Sequence, residues 1–99
     1  MAQRVYKLYL GKPSEAWHQL SQEEQEGLFA KVSEALEKVG GKRIVACNSG
    51  WSSAQCRFFG VEEFPDIEAV LRHSELLDEL NHGRYSEAMT VLGTEWQPS

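Results

Sequence analysis

The chain has 99 residues, of which 41% are hydrophobic and 25% are charged, and its formal net charge is −5. This composition is typical of a folded globular protein and excludes a chain that is disordered along its whole length. The length suits one hydrophobic core, so we expect a single domain over residues 1–99.

Ten Lys and Arg residues are set against fifteen Asp and Glu residues, and the basic ones are scattered along the sequence. Because no basic stripe could follow a phosphate backbone, we expect no nucleic-acid partner. The acidic side chains, clustered at positions 23–37 and 62–79, are interpreted as two solvated helix faces. No apolar run approaches the ~20 residues of a membrane span, and no signal-peptide pattern opens the chain. We therefore expect a cytoplasmic protein with no membrane partner.

Cysteine and histidine spacing indicates neither a metal site nor a disulfide. Cys47 and Cys56 lack C-x-x-C spacing, and no histidine is paired with them. In a cytoplasmic chain they are expected to be reduced, small, buried side chains. Nucleotide-binding and zinc-hydrolase motifs are absent as well, so we predict no cofactor and no metal.

The predicted elements, in chain order, begin with a strand at Val5–Leu10, which residues 11–13 close. Residues 14–20 form a connection with one helical turn. A capping box formed by Ser21 and Glu24 opens the first long helix, and Gly40 and Gly41 end it. A β-hairpin follows, with strands at 43–48 and 55–61. Asp66 caps the second helix, Gly83 ends it, and the last strand covers 89–96.

Each helix carries one apolar stripe at helical spacing. In the first helix, Phe29 widens the stripe. The two stripes are Leu28, Val32, Ala35, Leu36 and Val39 in the first helix, and Ile67, Val70, Leu71, Leu77 and Leu80 in the second.

The order strand, helix, strand, strand, helix, strand predicts an α+β, ferredoxin-like βαββαβ fold. Its four-stranded antiparallel sheet has the strand order four, one, three, two, with both helices on one face. The strands do not alternate cleanly between apolar and polar residues, so the other face is also apolar and must be covered. The economical cover is a second copy of the chain, which gives a two-fold homodimer with an internal cavity in each half.

This arrangement resembles the dimeric α+β barrel superfamily, which includes cofactor-independent monooxygenases, muconolactone-isomerase-like enzymes and stress-responsive barrel proteins. A second resemblance, to darcynin-like proteins of unknown function, rests on four short segments. The resemblances imply a fold and a dimer, but no particular reaction. The four segments are Glu15-Ala16-Trp17, Leu20-Ser21 followed by Glu23-Glu24, Phe64-Pro65-Asp66-Ile67, and Arg84-Tyr85.

Lys7 and Arg57 are the most informative polar residues, because each lies among apolar neighbours in a predicted strand. We expect their strands to be adjacent and both side chains to project from the face away from the helices. Two cations in a cavity would bind a carboxylate, phenolate or enolate. Tyr9, on the Lys7 side, and Asn48, at the end of the second strand, are further candidate ligand-binding residues. The alternative is that the cations pair with acids of the partner chain.

Two histidines and two tryptophans complete the candidate site. The resemblance makes His73, in the second helix, a candidate general base, and His18 is a second candidate for that role. The alternative for His73 is a histidine at the surface or at the edge of the apolar stripe. Trp17 and Trp51 lie in connections, where they could cover a cavity that holds a flat ligand. The alternative is that they plug the sheet ends or the dimer contact.

These residues lead to two hypotheses. In the first, the protein binds a small, aromatic or conjugated, anionic ligand between sheet and helices. If it is an enzyme, it acts as a cofactor-independent isomerase or monooxygenase, with Lys7, Arg57 and Asn48 stabilising an oxyanion. In the second, it is a non-catalytic stress-response or binding homodimer whose cavity is filled by its own side chains. The sequence leaves open whether the protein is an enzyme.

Overall fold

A computed structural model describes residues 3–96 of the chain. Within this range, no helix is both long and apolar enough to cross a membrane. The strands are β1 (Val5–Pro13), β2 (Lys42–Asn48), β3 (Phe58–Phe64) and β4 (Ser86–Gly93), and the helices are α1 (Glu15–His18), α2 (Gln22–Lys38), α3 (Ile67–Glu79) and α4 (His82–Tyr85).

The four strands form one antiparallel sheet in the order β2-β3-β1-β4, which confirms the predicted strand order. In β1, Lys7 lies opposite Glu62 of β3 and Leu92 of β4. Because side chains alternate along a strand, Val5 and Lys7 lie on one face of the sheet and Tyr6, between them, lies on the other. Strands β1 and β3 are the two central strands of the sheet, so each is hydrogen-bonded to a neighbouring strand on both sides.

The core lies between β1, β3 and the two long helices. Phe64 is fully buried, and it packs with Val5, Leu36, Ala69 and Val70. The helix side of the sheet is therefore the side of Val5 and Lys7. Together with the element order, this confirms the predicted α+β, ferredoxin-like arrangement.

Both long helices begin where the sequence predicts. The Ser21 side chain accepts a hydrogen bond from the Glu24 amide, and the Glu24 carboxylate accepts one from the Ser21 amide. The Asp66 carboxylate accepts a hydrogen bond from the Ala69 amide at 2.8 Å and caps α3. Gly40 follows α2 with φ of +77°, a conformation that glycine adopts without a Cβ clash.

Several predicted boundaries are wrong because strand pairing extends beyond the apolar runs. Strand β1 does not end at Leu10, since Pro13 still pairs with Ser86 at the start of β4. Strand β3 begins at Phe58 and continues to Phe64, which pairs with Val5. Helix α3 ends at Glu79, before the predicted glycine. The chain then turns through a left-handed asparagine at position 81 with φ of 55°, and Gly83 lies within α4.

Candidate functional site

A buried polar cluster lies between the sheet and α3, where Lys7 and Glu62 meet His73. The Lys7 ammonium nitrogen lies 3.2 Å from His73 Nδ1 and 3.7 Å from Glu62 Oε1. The prediction that Lys7 projects away from the helices is therefore wrong. The reason is that both faces of β1 are largely apolar, so its sequence pattern does not distinguish the helix side from the other side.

His73 is at the centre of the buried face of α3, not at its edge. Only 1% of the residue is exposed, and its ring lies 5.2 Å from the Phe64 ring. The predicted stripe is wrong at Ile67 and Leu71, which are 44% and 59% exposed. The helix is rotated so that positions 69, 70, 73 and 76 face the sheet, and this rotation buries the histidine. The alternative of a surface or stripe-edge histidine is thus contradicted.

The hydrogen bond from Lys7 determines which nitrogen of His73 carries the proton. The ammonium form of Lys7, paired with Glu62, has N–H donors and no acceptor, so Nδ1 of the neutral ring accepts and Nε2 holds the hydrogen. Burial, with a smaller contribution from the Lys7 charge, lowers the pKa of His73 to about 4, so the ring is neutral near pH 7. Within residues 3–96, Nε2 is buried and has no hydrogen-bond partner. The ring therefore presents an unused N–H donor.

Lys7 and Glu62 are a largely buried ion pair, with 13% and 9% of their side chains exposed. Burial lowers the pKa of Lys7 more than the Glu62 charge raises it. Burial likewise raises the pKa of Glu62, and the charges of Lys7 and Arg43 oppose that shift. Both shifts favour the neutral forms, so burial narrows the difference between the pKa values of the two groups. The Phe64 ring lies 5.7 Å from the Lys7 ammonium and keeps this side of the pair apolar.

Tyr9 extends the cluster along β1. Its ring lies over Gly60, where a Cβ would overlap the phenol, and its centroid lies 6.1 Å from that of Phe58. Burial, supported by the Glu62 charge, raises the pKa of Tyr9, while Arg43 opposes the shift. Tyr9 is therefore a neutral phenol on the same face as Lys7, as predicted.

A second histidine lies close to this cluster. His82, in α4, is half-buried, and burial lowers its pKa, with a smaller contribution from the charge of Lys7. No chemical role is predicted for His82 from the sequence. Its position follows from the left-handed turn at residue 81, which returns the chain toward β4 and brings α4 against α3.

The other predicted site residues do not join the cluster. Arg57 is exposed in the connection before β3, five positions from Glu62, which corresponds to about 15 Å along a strand. Asn48 is exposed, and its side-chain oxygen accepts a hydrogen bond from the Gly50 amide. Trp51 is 86% exposed, so it covers no cavity within residues 3–96. Trp17 is half-buried and His18 is exposed, both on α1.

Glu62 and Arg43, the two charged partners of the cluster, were not predicted from the sequence as site residues. Glu62 was placed among solvated acids, but it belongs to an alternating set in β3 whose other members, Phe58, Gly60 and Phe64, also face the helices. Arg43 precedes a register irregularity in β2, lies opposite Glu62, and has its guanidinium 5.5 Å from the Phe29 ring. The alternation of residues along β3 could have indicated that Glu62 faces the helices. The register irregularity in β2 could not be read from the sequence, so the position of Arg43 was not predictable.

Within the part of the chain that the structure describes, an open groove lies on each side of the sheet. The first, of about 510 Å³, lies on the outer face and is lined by Tyr6, Leu8, Val61 and Val91 among others. The second, of about 540 Å³, lies on the helix side next to the start of α3. We call it the helix-side groove. Its lining includes Val5, Asp66, Ile67, Glu68 and Leu92.

The helix-side groove adjoins the cluster. Val5 lies two positions from Lys7 on the same face of β1, and Leu92 lies directly opposite Lys7. Within residues 3–96, no group of three or more His, Cys, Asp or Glu side chains is arranged to hold a metal ion.

Solved structures with the same fold include proteins of known and unknown function. A protein of unknown function from Rhodopseudomonas palustris superposes with a TM-score of 0.70 and 12% sequence identity, covering 99% of this chain and 86% of that chain. SnoaB, a cofactor-independent oxygenase from Streptomyces nogalater, gives a TM-score of 0.62 and 16% identity, covering 98% of this chain and 97% of that chain. These two superpositions confirm the predicted resemblance at the level of the α+β fold. No protein-family model and no curated protein matches the chain.

Proposed function

We propose that the protein binds a small enolisable carbonyl compound between the sheet and α3 and transfers a proton at the carbon beside the carbonyl. The observation that carries this proposal is the buried, neutral His73, whose Nε2–H has no partner within the described residues and whose Nδ1 lies 3.2 Å from Lys7. A buried N–H donor without a partner is costly, and a carbonyl oxygen would satisfy it. The enolate that forms is the anionic ligand expected from the sequence.

His73, Lys7 and Glu62 have different roles in the proposed proton transfer. His73 donates from Nε2 to the carbonyl oxygen, a role suited to a neutral imidazole. Lys7 donates a hydrogen bond to Nδ1, which keeps the hydrogen of the neutral ring on Nε2 and fixes the direction in which it is donated. Glu62, whose pKa is raised by burial, is a carboxylate base with a pKa closer to neutrality. Because Lys7 occupies Nδ1, we assign proton abstraction to Glu62 in place of His73. His18 takes no part, since it lies exposed on α1.

Enolate formation is a step common to isomerisation and to cofactor-free addition of oxygen. SnoaB, which shares the fold, is a cofactor-independent oxygenase. Every group needed for the proton-transfer step is a side chain of this chain, so the step itself needs no added cofactor. Substrate reaches the cluster through the helix-side groove, beside Val5 and Leu92.

The test is the exchange of the α-protons of cyclohexanone for deuterium, followed by proton NMR in D₂O. We expect the wild-type protein to accelerate exchange and Glu62→Gln to lower the protein-dependent rate by ~100-fold or more. His73→Gln should lower it as well. The matched control is Glu63→Gln, the adjacent position on the opposite face of β3. An exchange rate equal to that of buffer would favour the second hypothesis, a non-catalytic homodimer whose gap is filled by its own side chains.

We infer that the outer face of the sheet is covered by a second copy of the chain. Its apolar side chains are exposed in the single chain: Leu8 by 37%, Phe59 by 37%, Val45 by 44% and Val91 by 53%. They lie on all four strands, so the patch covers the width of the sheet. A surface of this kind is rare on a monomer and suits an isologous dimer.

Light scattering after gel filtration tests the dimer. We expect twice the chain mass for the wild type and a monomer for Val91→Lys, because a buried interface disfavours an unpaired charge. Thr90→Lys is the matched control, since Thr90 is an exposed neighbour that points to the helix side. A wild-type monomer would contradict this assembly, and so would a dimer that Val91→Lys leaves intact.

A further inference from the structure

We propose that Lys7 is an amine nucleophile that forms an imine with small, uncharged aldehydes and ketones at this site. The inference rests on the proposed function, because both place a carbonyl carbon beside the Lys7–Glu62–His73 cluster. It adds a covalent step, and it names the substrate class as electrically neutral carbonyl compounds.

The first support is the placement of the Lys7 nitrogen. One of its N–H groups points to His73 Nδ1 at 3.2 Å, and Glu62 Oε1 lies 3.7 Å away. These two contacts orient the amine and place a proton acceptor beside it. With only 13% of the side chain exposed and the Phe64 ring 5.7 Å away, the nitrogen has little water around it. A desolvated lysine of this kind loses its proton more readily and becomes nucleophilic.

The reaction balances with the groups present. Glu62 takes one proton from the Lys7 ammonium, and the free electron pair of the amine attacks the carbonyl carbon. A C–N bond forms, and the carbonyl oxygen takes that proton from Glu62 to give a carbinolamine. A second proton follows the same route, the C–O bond breaks, and the oxygen leaves as water. The ammonium and the carbonyl compound are thus converted to a protonated imine and water, with no change in total charge and no oxidant or reductant.

The protonated imine makes the neighbouring carbon more acidic, so it continues the chemistry proposed above. It replaces the ammonium charge of Lys7 at the same position. Glu62, again a carboxylate after it has passed on both protons, lies in place to remove the α-proton.

The helix-side groove determines the preferred charge of the substrate. Its lining contains the carboxylates Asp66 and Glu68, and the whole chain has a formal charge of −5. Like charge repels an entering anion, whereas a neutral carbonyl compound is not opposed. The apolar part of the lining, Val5 and Leu92 beside Lys7 and Ile67 on α3, suits a small hydrocarbon portion. Cyclohexanone is therefore a suitable probe, and pyruvate is the charged comparison.

The experiment is reductive trapping. The full chain is incubated with cyclohexanone and sodium cyanoborohydride, which reduces imines, and is then analysed by intact mass and peptide mapping. We expect one addition whose mass is that of the ketone less one oxygen atom, located at Lys7. Labelling at Lys7 should be faster than at any of the other lysines, because its lowered pKa leaves more of the amine unprotonated at a given pH. Pyruvate should label Lys7 more slowly than cyclohexanone does.

Lys7→Arg keeps the positive charge and lacks the nucleophilic amine, so it should lose the addition. Lys12→Arg, at an exposed position of the same strand, should retain it. Equal labelling of all lysines, or none at Lys7, would overturn the inference, and the wild-type peptide map alone decides this point even if a variant fails to fold. Deuterium exchange without trapping would overturn the imine and leave the proposed function standing. Loss of both would overturn both.

Discussion

Replacing His73 with glutamine should remove much of the acid sensitivity of this fold. The folded protein holds the pKa of His73 at about 4, against 6.5 for an ordinary histidine. Between these two values the unfolded chain binds a proton that the folded chain does not. The free energy of unfolding therefore falls as the pH drops below 6.5, and the loss is complete once the pH is below 4.

The size of this effect follows from the difference in pKa. Because the residue is only 1% exposed, solvent screening does not reduce the effect substantially. The proton linkage of this one group lowers the free energy of unfolding by about 2 kcal/mol at pH 5 and about 3 kcal/mol at pH 4, relative to pH 7. In a domain with a total stability of roughly 5–15 kcal/mol, this is a large fraction.

Urea unfolding, measured between pH 7 and pH 4 on the wild type and on His73→Gln, tests the prediction. Other groups also titrate in this range, so the decisive quantity is the difference between the two pH profiles. His18→Gln is the control, because His18 is exposed on α1. The variant should be less stable than the wild type near neutral pH and lose less stability on acidification. Parallel profiles for the wild type and His73→Gln would refute the assigned burial of the ring.

Three further substitutions test the cluster and its supports, each by urea unfolding at pH 7. Lys7→Met should cost about 3 kcal/mol, because it leaves the Glu62 carboxylate buried without its partner, and adding Glu62→Gln should recover most of that loss. A further loss in the double variant would contradict this account. Gly60→Ala should lower the free energy of unfolding by about 1–3 kcal/mol, since the new methyl group displaces the Tyr9 ring. Adding Tyr9→Ala to this variant should remove that steric conflict. If the double variant shows no such relief, the strain does not come from the Tyr9 ring. Asp66→Ala should lower the free energy of unfolding by about 1 kcal/mol, because it removes the cap of α3. Asp66→Asn keeps a capping side chain and should be nearly neutral, so equal losses in the two variants would contradict the role of the cap.

Local signals in the sequence were sufficient to predict where the two long helices begin and in what order the strands lie in the sheet. The cap at Ser21 and the cap at Asp66 are both present, because capping depends on side chains within one turn of the helix start. The strand boundaries were less predictable. Residues 86–88 carry no strand signal, and they become part of β4 because β1 supplies hydrogen-bonding partners for them.

The candidate site was predicted in part. Lys7, Tyr9 and His73 were named from the sequence. Lys7 and Tyr9 lie on the helix side of the sheet, opposite to the predicted side, and His73 of α3 contacts Lys7 there, whereas Arg57 and Asn48 lie near the other end of the strands. The acidic partner, Glu62, could not be separated from its neighbours by composition. An acid in a strand is buried or exposed according to the side on which its register falls.

By itself, the sequence determined the order of the elements, the helix starts and the presence of two apolar sheet faces, since these follow from spacing along the chain. The tertiary structure decided which face of β1 meets the helices and how far α3 is rotated about its axis. A strand that is apolar on both sides has no preferred inner face until it packs. One residue of shift in a helical stripe turns the buried face by about 100°. In this protein, those two choices bring Lys7, Glu62 and His73 together.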